Sequence, residues 1–340
     1  PFAYATAFEK GYQPETMIYD VPTNFGPDGT GHEYKPSNYD GRSHGLVTMR
    51  QALCNSLNIP AVKTLYLAGI KDTIFTAQKM GITTLNTPDR YGLALVLGGA
   101  EVTLLDETSA YGVFANDGKR NPATGFLKIM DSSGNTIYTP SPKNDQVIHP
   151  QIARKIDSIL SDNGARSMVF GTGSKLYIPG RTVAAKTGTT QDFHDAWIVG
   201  FTPSIVTGVW AGNNDNTAMN SGADGSYVAA PIWNSYMSQI LASYSDETFP
   251  NYEKIDINGN YAMPQIKYYK SGKEISAEKA KKADPGKVEV KMEMPDTWGE
   301  GTSSIAEMQN TTDPMILRWR ESLRDPKVLL ESLQDKEKKD

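Results

Sequence analysis

The chain has 340 residues, 39% of them hydrophobic, with a net charge of -5. That length buries a sizeable core in one large or two ordinary domains, and the mild acidity argues against a nucleic-acid partner. A single cysteine, Cys54, excludes an internal disulfide, and His32, His44, His149 and His194 have no metal-ligand spacing, so neither metal nor cofactor is expected.

No apolar run is long enough to span a membrane, and no signal peptide is recognisable. Pro1 to Phe8 is already in helical rhythm. It reads as the interior of a domain, so targeting information is expected upstream.

In chain order, residues 2–10 predict a helix stopped by Gly11. Residues 12–45, rich in Gly, Pro, Asn, Asp and Tyr, predict an irregular region with short strands. A helix is expected from Thr48 to about Asn55, punctuated by Pro60, and resuming from Ala61 to Leu67. Further helices are expected over 72–80 and 101–116. Residues 124–139 predict two short strands about the turn at Asp131-Ser132-Ser133-Gly134. Residues 150–162 carry Ile152, Ile156, Ile159 and Leu160 on one helical face, with Gly164 expected to end the helix.

Three strands follow closely, over Thr182–Thr189, Ala196–Thr202 and Ile205–Ala211. Their short connections imply an antiparallel meander. A helix is expected from Ala230 to Ser243. Beyond Ser245 the chain turns polar, and 246–340 is read as a loosely ordered extension closed by two short helices starting near Asp313-Pro314 and Asp325-Pro326. Helices early and an antiparallel sheet late make the fold class α+β, an antiparallel sheet flanked by helices, with one domain over 1–245.

The chemistry concentrates in Ala184-Ala185-Lys186-Thr187-Gly188-Thr189-Thr190. A lysine in an apolar strand is most economical at a cleft edge, where it meets an anion or tunes a neighbour's proton affinity. Gly188 admits a close backbone approach. Thr187 and Thr189 offer hydroxyls and N–H groups to an extended, peptide-like substrate, and the Thr189 N–H suits a developing oxyanion. Taken alone, Lys-Thr-Gly reads more readily as an edge-strand lysine beside a glycine bulge, since so short a match arises often by chance.

Two candidates are weighed for a Ser-x-Asn motif. Ser161-Asp162-Asn163 ends a helix and is set aside as a capping sequence. Ser56-Leu57-Asn58 lies at a break before Pro60, where Ser56 and Asn58 can project from the backbone or act as helix caps.

Taken together the chain resembles the transpeptidase domain of class A (bifunctional) penicillin-binding proteins, which share an acyl-transfer motif set with the serine β-lactamases. The resemblance covers roughly residues 1–245. It is carried by Pro1-Phe2-Ala3-Tyr4, Val47 through Leu53, Ser56 through Lys63, Leu97-Gly98-Gly99-Ala100-Glu101-Val102-Thr103, Phe114 through Gly118, Gly171-Thr172-Gly173, Lys186 through Thr190, and Asp195-Ala196-Trp197 through Gly200-Phe201-Thr202-Pro203. It implies D,D-transpeptidation of peptidoglycan stem peptides ending in D-Ala-D-Ala through a serine acyl-enzyme, with β-lactams trapping that serine. Ser56 is then expected to relay protons and Asn58 to contact the substrate amide. Lys186 supplies positive charge near the substrate carboxylate, and Thr187, Gly188 and Thr189 form the binding strand. The resemblance also implies an N-terminal membrane anchor in the parent protein, with this domain on the outer side of the cytoplasmic membrane.

One departure stands out. The family's Ser-x-x-Lys precedes a Pro-Phe like Pro1-Phe2, whereas the sole Ser-x-x-Lys here is Ser276-Ala277-Glu278-Lys279, far downstream in a polar region. The nucleophile, its lysine and a second oxyanion donor are expected outside these residues, and the 340 residues alone are expected to resist acylation. A D,D-carboxypeptidase, a β-lactamase or a non-catalytic penicillin-recognising sensor or scaffold are the alternatives.

Overall fold

The computed structural model describes residues 1–27, 32–254, 265–284 and 287–293. In chain order the helices are α1 (Phe2–Glu9), α2 (Met49–Cys54), α3 (Asn58–Ala68), α4 (Ile70–Met80), α5 (Leu104–Ala115), α6 (Pro150–Leu160), α7 (Asn163–Phe170), α8 (Ala230–Leu241) and α9 (Ala277–Lys281). The strands are β1 (Met17–Asp20), β2 (Gly45–Thr48), β3 (Lys119–Arg120), β4 (Ile129–Met130), β5 (Thr136–Tyr138), β6 (Asp145–Gln146), β7 (Ala184–Thr189), β8 (Asp195–Phe201), β9 (Val206–Gly212), β10 (Gln265–Lys270), β11 (Lys273–Ile275) and β12 (Glu289–Glu293). The α+β class expected from the sequence is the one adopted. The chain divides into two compact units.

The first unit comprises Pro1–Glu9, Leu53–Asn55 and Leu65–Glu253. Its centre is the antiparallel sheet β7-β8-β9. Because side chains alternate across a strand, Ala185, Ala196 and Ile198 face one side. There they pack with Trp233, Met237 and Leu241 of α8 in a buried apolar cluster. The opposite face meets α5, where the Tyr111 and Phe201 rings stand edge to face with centroids 6.1 Å apart. Gly200 is required by close packing, since a Cβ there would stand 2.2 Å from the Trp233 ring.

The second unit comprises Lys10–Ala52, Ser56–Thr64 and the described residues from Lys254 onward. The β1–β2 pair runs in antiparallel register from Met17 opposite Thr48 to Asp20 opposite Gly45. A three-stranded sheet, β11-β10-β12, carries a small cluster of Tyr268, Ala280 and Val288.

Local chemistry explains most helix starts. Thr48 and Gln51 form a reciprocal capping box on α2: Gln51 N donates to Thr48 Oγ1 at 3.0 Å, and Thr48 N donates to Gln51 Oε1 at 2.9 Å. Three details differ from expectation. Pro60 does not interrupt a helix; it sits in the first turn of α3, where its missing N–H is not needed. Gly164 does not end a helix. The chain leaves α6 at Ser161, and Asp162 caps a new helix, α7, by accepting from Ala165 N at 2.8 Å. Within the polar stretch read as loosely ordered, residues 265–293 carry three strands and a short helix. The helices expected near Asp313 and Asp325 lie outside the described residues.

Candidate active site

Lys186, Thr187, Gly188 and Thr189 occupy β7, which has one hydrogen-bonded neighbour, β8, and so lies at the edge of the described sheet. Lys186 pairs with Val199 and Gly188 with Trp197. Alternation turns Lys186 and Gly188 away from the α8 cluster, toward the helical side, and Thr187 and Thr189 toward α8. An edge strand offers backbone groups that an extended peptide can pair with.

Lys186 is half-buried, and its ammonium donates to the Thr187 carbonyl at 2.7 Å. Desolvation pulls its pKa down to about 8; Cys54 opposes that fall, and the charge of Arg166 adds to it. The ammonium is therefore close to losing its proton at physiological pH.

The back of the strand is held by a π-helical turn, Gly225–Ala229. Gly225 N donates to Thr189 Oγ1 at 3.1 Å. A Cβ on Gly225 would stand 2.5 Å from both the Gly188 and Trp197 carbonyl oxygens, so only glycine fits. Asp224 caps that turn, accepting from Ser226 N at 2.7 Å and Tyr227 N at 2.9 Å.

The β7–β8 connection is fixed by Asp195. Its Oδ2 accepts from Thr190 Oγ1 at 2.8 Å and its Oδ1 accepts from Trp210 Nε1 at 2.7 Å, while its own N–H donates to Thr190 Oγ1 at 2.9 Å. The Asp195-Ala196-Trp197 segment thus closes the hairpin that carries Lys186.

Asn55 belongs to the same unit. Its Nδ2 donates to Ala165 O at 2.8 Å, and its Oδ1 accepts from Val169 N at 3.0 Å, tying the end of α2 to α7. Arg166, only 2% exposed, donates to the Leu160 and Leu176 carbonyls.

Ser56 and Asn58 lie in the second unit. Ser56 has φ +57°, a left-handed conformation uncommon outside glycine, asparagine and aspartate. Such a kink separates α2 from α3 and is backbone strain of the kind found at functional positions. Asn58 opens α3, and its Nδ2 donates to Ser37 O at 2.7 Å.

The two sequences set aside both serve helix ends. Ser161 Oγ donates to Asp157 O at 2.7 Å at the end of α6. Ser276 is the N-cap of α9, accepting from the amide of Lys279, which places it in helix initiation. Among the described residues no group of three or more His, Cys, Asp or Glu side chains is arranged to hold a metal, and no helix is long and apolar enough to cross a membrane.

The model of the penicillin-binding protein transpeptidase domain matches residues 1–238. The chain belongs to the penicillin-binding protein transpeptidase family. It is 36% identical to penicillin-binding protein 1A of Aquifex aeolicus over 251 residues, covering 73% of this chain and 33% of that protein. It is 34% identical to penicillin-binding protein 1A of Neisseria flavescens over 266 residues, covering 76% and 33%. The chain thus spans about a third of the length of these curated relatives. Among solved structures, penicillin-binding protein 1A from Haemophilus influenzae superposes with a TM-score of 0.66 at 27% identity, over 75% of this chain and 43% of that one. PonA1 from Mycobacterium tuberculosis in complex with penicillin V gives 0.64 at 28% identity, over 75% and 70%. The domain is of the class A, penicillin-binding protein 1A type.

Sequence reasoning did not anticipate Gly225 and Asp224 as supports of β7 or Asn55 as the tie to α7, nor, within the second unit, Asn38, whose side chain meets the start of α3. It picked out Asp195 as part of a motif but gave it no function. Once α3 is seen to start at Asn58, Leu57 before it has no capping atom, which is the sign that acceptors come from elsewhere.

Proposed function

We propose that this domain is a peptidoglycan D,D-transpeptidase that binds β-lactams. The observation that carries the proposal is the lysine of Lys186-Thr187-Gly188-Thr189 on an edge strand, with its pKa lowered to about 8 and its backbone braced by Gly225. A cation there attracts the terminal carboxylate of a D-Ala-D-Ala peptide. The strand edge pairs with the extended substrate, and the Thr189 N–H stabilises the oxyanion.

In the first half-reaction a serine oxygen attacks the penultimate D-Ala carbonyl. The C–N bond breaks, and D-Ala leaves as an amine that has gained a proton. In the second, an amine of another stem peptide attacks the ester, frees the serine and forms the cross-link. Ser56 relays the proton toward the leaving amine, and Asn58 contacts the substrate amide; both roles rest on the sequence resemblance. The proposal takes no nucleophile from Ser276, the N-cap of α9, and expects residues 1–340 alone to resist acylation. The proposal also places the domain on the outer face of the cytoplasmic membrane, held by an anchor in the full-length protein.

The experiment is labelling of the full-length protein by a fluorescent penicillin, followed by peptide mapping and product analysis with stem peptides. Cross-linked dimers support the transpeptidase. Release of D-Ala alone assigns a carboxypeptidase, labelling without turnover a sensor, and a label within residues 1–340 overturns the nucleophile assignment.

A further inference from the structure

Helix α3 begins at Asn58. The first N–H groups of a helix lack intrahelical acceptors, and the usual remedy is a Ser, Thr, Asp or Asn side chain just before the helix. That position is held by Leu57, which is 2% exposed and has no acceptor. The cap comes from the loop ahead of β2. Asn38 Oδ1 accepts from Asn58 N at 2.9 Å and from Ile59 N at 3.3 Å.

The orientation of the Asn38 amide is dictated from behind. Its Nδ2 donates to Asp20 Oδ1 at 2.8 Å, to Asp20 Oδ2 at 2.7 Å and to Arg42 O at 2.7 Å. An ionised carboxylate only accepts, so the NH2 end must face Asp20 and the oxygen must face the helix. Asp20 is fully buried. It is compensated by His44, whose N–H donates to Oδ2 at 2.9 Å and whose Nδ1 lies 2.6 Å from the same oxygen. His44 Nε2 in turn lies 3.1 Å from Asp40 Oδ2. Burial works against a charge on His44, but Asp20 and Asp40 outweigh it and raise its pKa. Lys63, further along α3, donates to Tyr19 O at 2.8 Å beside this cluster.

We propose that Asn38, oriented by Asp20 and His44, is a positioning residue for the Ser56-Leu57-Asn58 motif. The same loop holds both ends of Asn58: Asn38 takes its backbone N–H, and the Ser37 carbonyl takes its side-chain amide. Fixing the α3 start also fixes one end of the short Ser56-Leu57 link, in which Ser56 holds its left-handed φ of +57°. The inference rests on the transpeptidase reading, because it assigns Asn38 an effect on acylation.

The test uses the full-length protein, with stopped-flow acylation by a fluorescent penicillin and hydrogen exchange at the Asn58 and Ile59 amides. Asn38→Ala should lower the acylation rate constant by on the order of 10–100-fold at unchanged labelling amplitude. The two amides should lose protection. A variant with wild-type rate constant but reduced amplitude shows that Asn38 serves folding alone, and overturns the proposal. So do wild-type Asn58 and Ile59 amides that exchange as if unprotected, a measurement that needs no variant. A wild-type protein that takes up no penicillin overturns the transpeptidase reading and this role with it, while protected amides in that same protein would show that the Asn38 cap itself stands.

Discussion

Replacing Lys63 by Met should change how stability depends on pH. Lys63 is 2% exposed, and burial lowers its pKa from 10.5 to about 7 despite the opposing influence of Asp20. The folded state therefore binds this proton less tightly than the unfolded state does. Stability must rise with pH between about 7 and 10.5, because the unfolded chain holds the extra proton over that window. The gap of ~3.5 pH units corresponds to ~5 kcal/mol of destabilisation below pH ~7, of which ~2 kcal/mol should be relieved between pH ~7 and ~9. Lys63→Met lacks the titrating group, so the difference between the two proteins should move by that ~2 kcal/mol. Its absolute offset also contains the lost bond to Tyr19 O, but the slope does not. Urea titrations of wild type and variant across this range provide the free energies. Parallel curves would refute the reasoning, as would an NMR titration placing the Lys63 ammonium near its ordinary value of 10.5.

Three further outcomes are expected. Acylation of the full-length protein should decline as pH rises through about 8, where Lys186 loses its proton; Lys186→Ala should remove that limb and slow acylation by on the order of 10²–10³-fold, as for loss of a preorganised electrostatic donor, measured by penicillin labelling kinetics. Gly200→Ala places a Cβ 2.2 Å from the fully buried Trp233 ring, and calorimetry should show a loss of ~1–3 kcal/mol. Ser161→Ala removes one bond to a helix-end carbonyl. It should lower stability by ~1 kcal/mol and leave the acylation rate unchanged, whereas Ser56→Ala should slow acylation; the reverse order would transfer the Ser-x-Asn role to Ser161.

What could be read in advance depended on how local its cause was. Ile152, Ile156, Ile159 and Leu160 share a buried face because 3.6-residue periodicity is written in consecutive positions. The β7–β8–β9 meander followed from two short connections, with boundaries within two residues of those expected. The pieces that escaped depend on partners far along the chain. Pro60 looked like a break because its tolerance in a first turn requires knowing that α3 starts at Asn58, and that start is capped from Asn38. Helix α7 was hidden because Asn163-Gly164 resembles a helix stop, while its anchoring bonds come from Asn55, more than a hundred residues earlier. The last strand did carry a signal, since Val288, Val290 and Met292 alternate with Glu289, Lys291 and Glu293, but the polar composition around it masked that period.

The packing of Gly225 against the Gly188 and Trp197 carbonyls is contact between main chain and main chain. Such a contact has no rotamers, so neither partner can adjust by turning a side chain. The alignment of the Lys186 strand consequently depends on how many residues the loop over 213–222 contains, and on side-chain identity chiefly at Met219, which packs against the α8 cluster. Substitutions at its solvent-facing positions outside Asn213, Asp215 and Met219 should be tolerated, while a single insertion or deletion would push the π-helical turn out of its seat and carry the lysine strand with it.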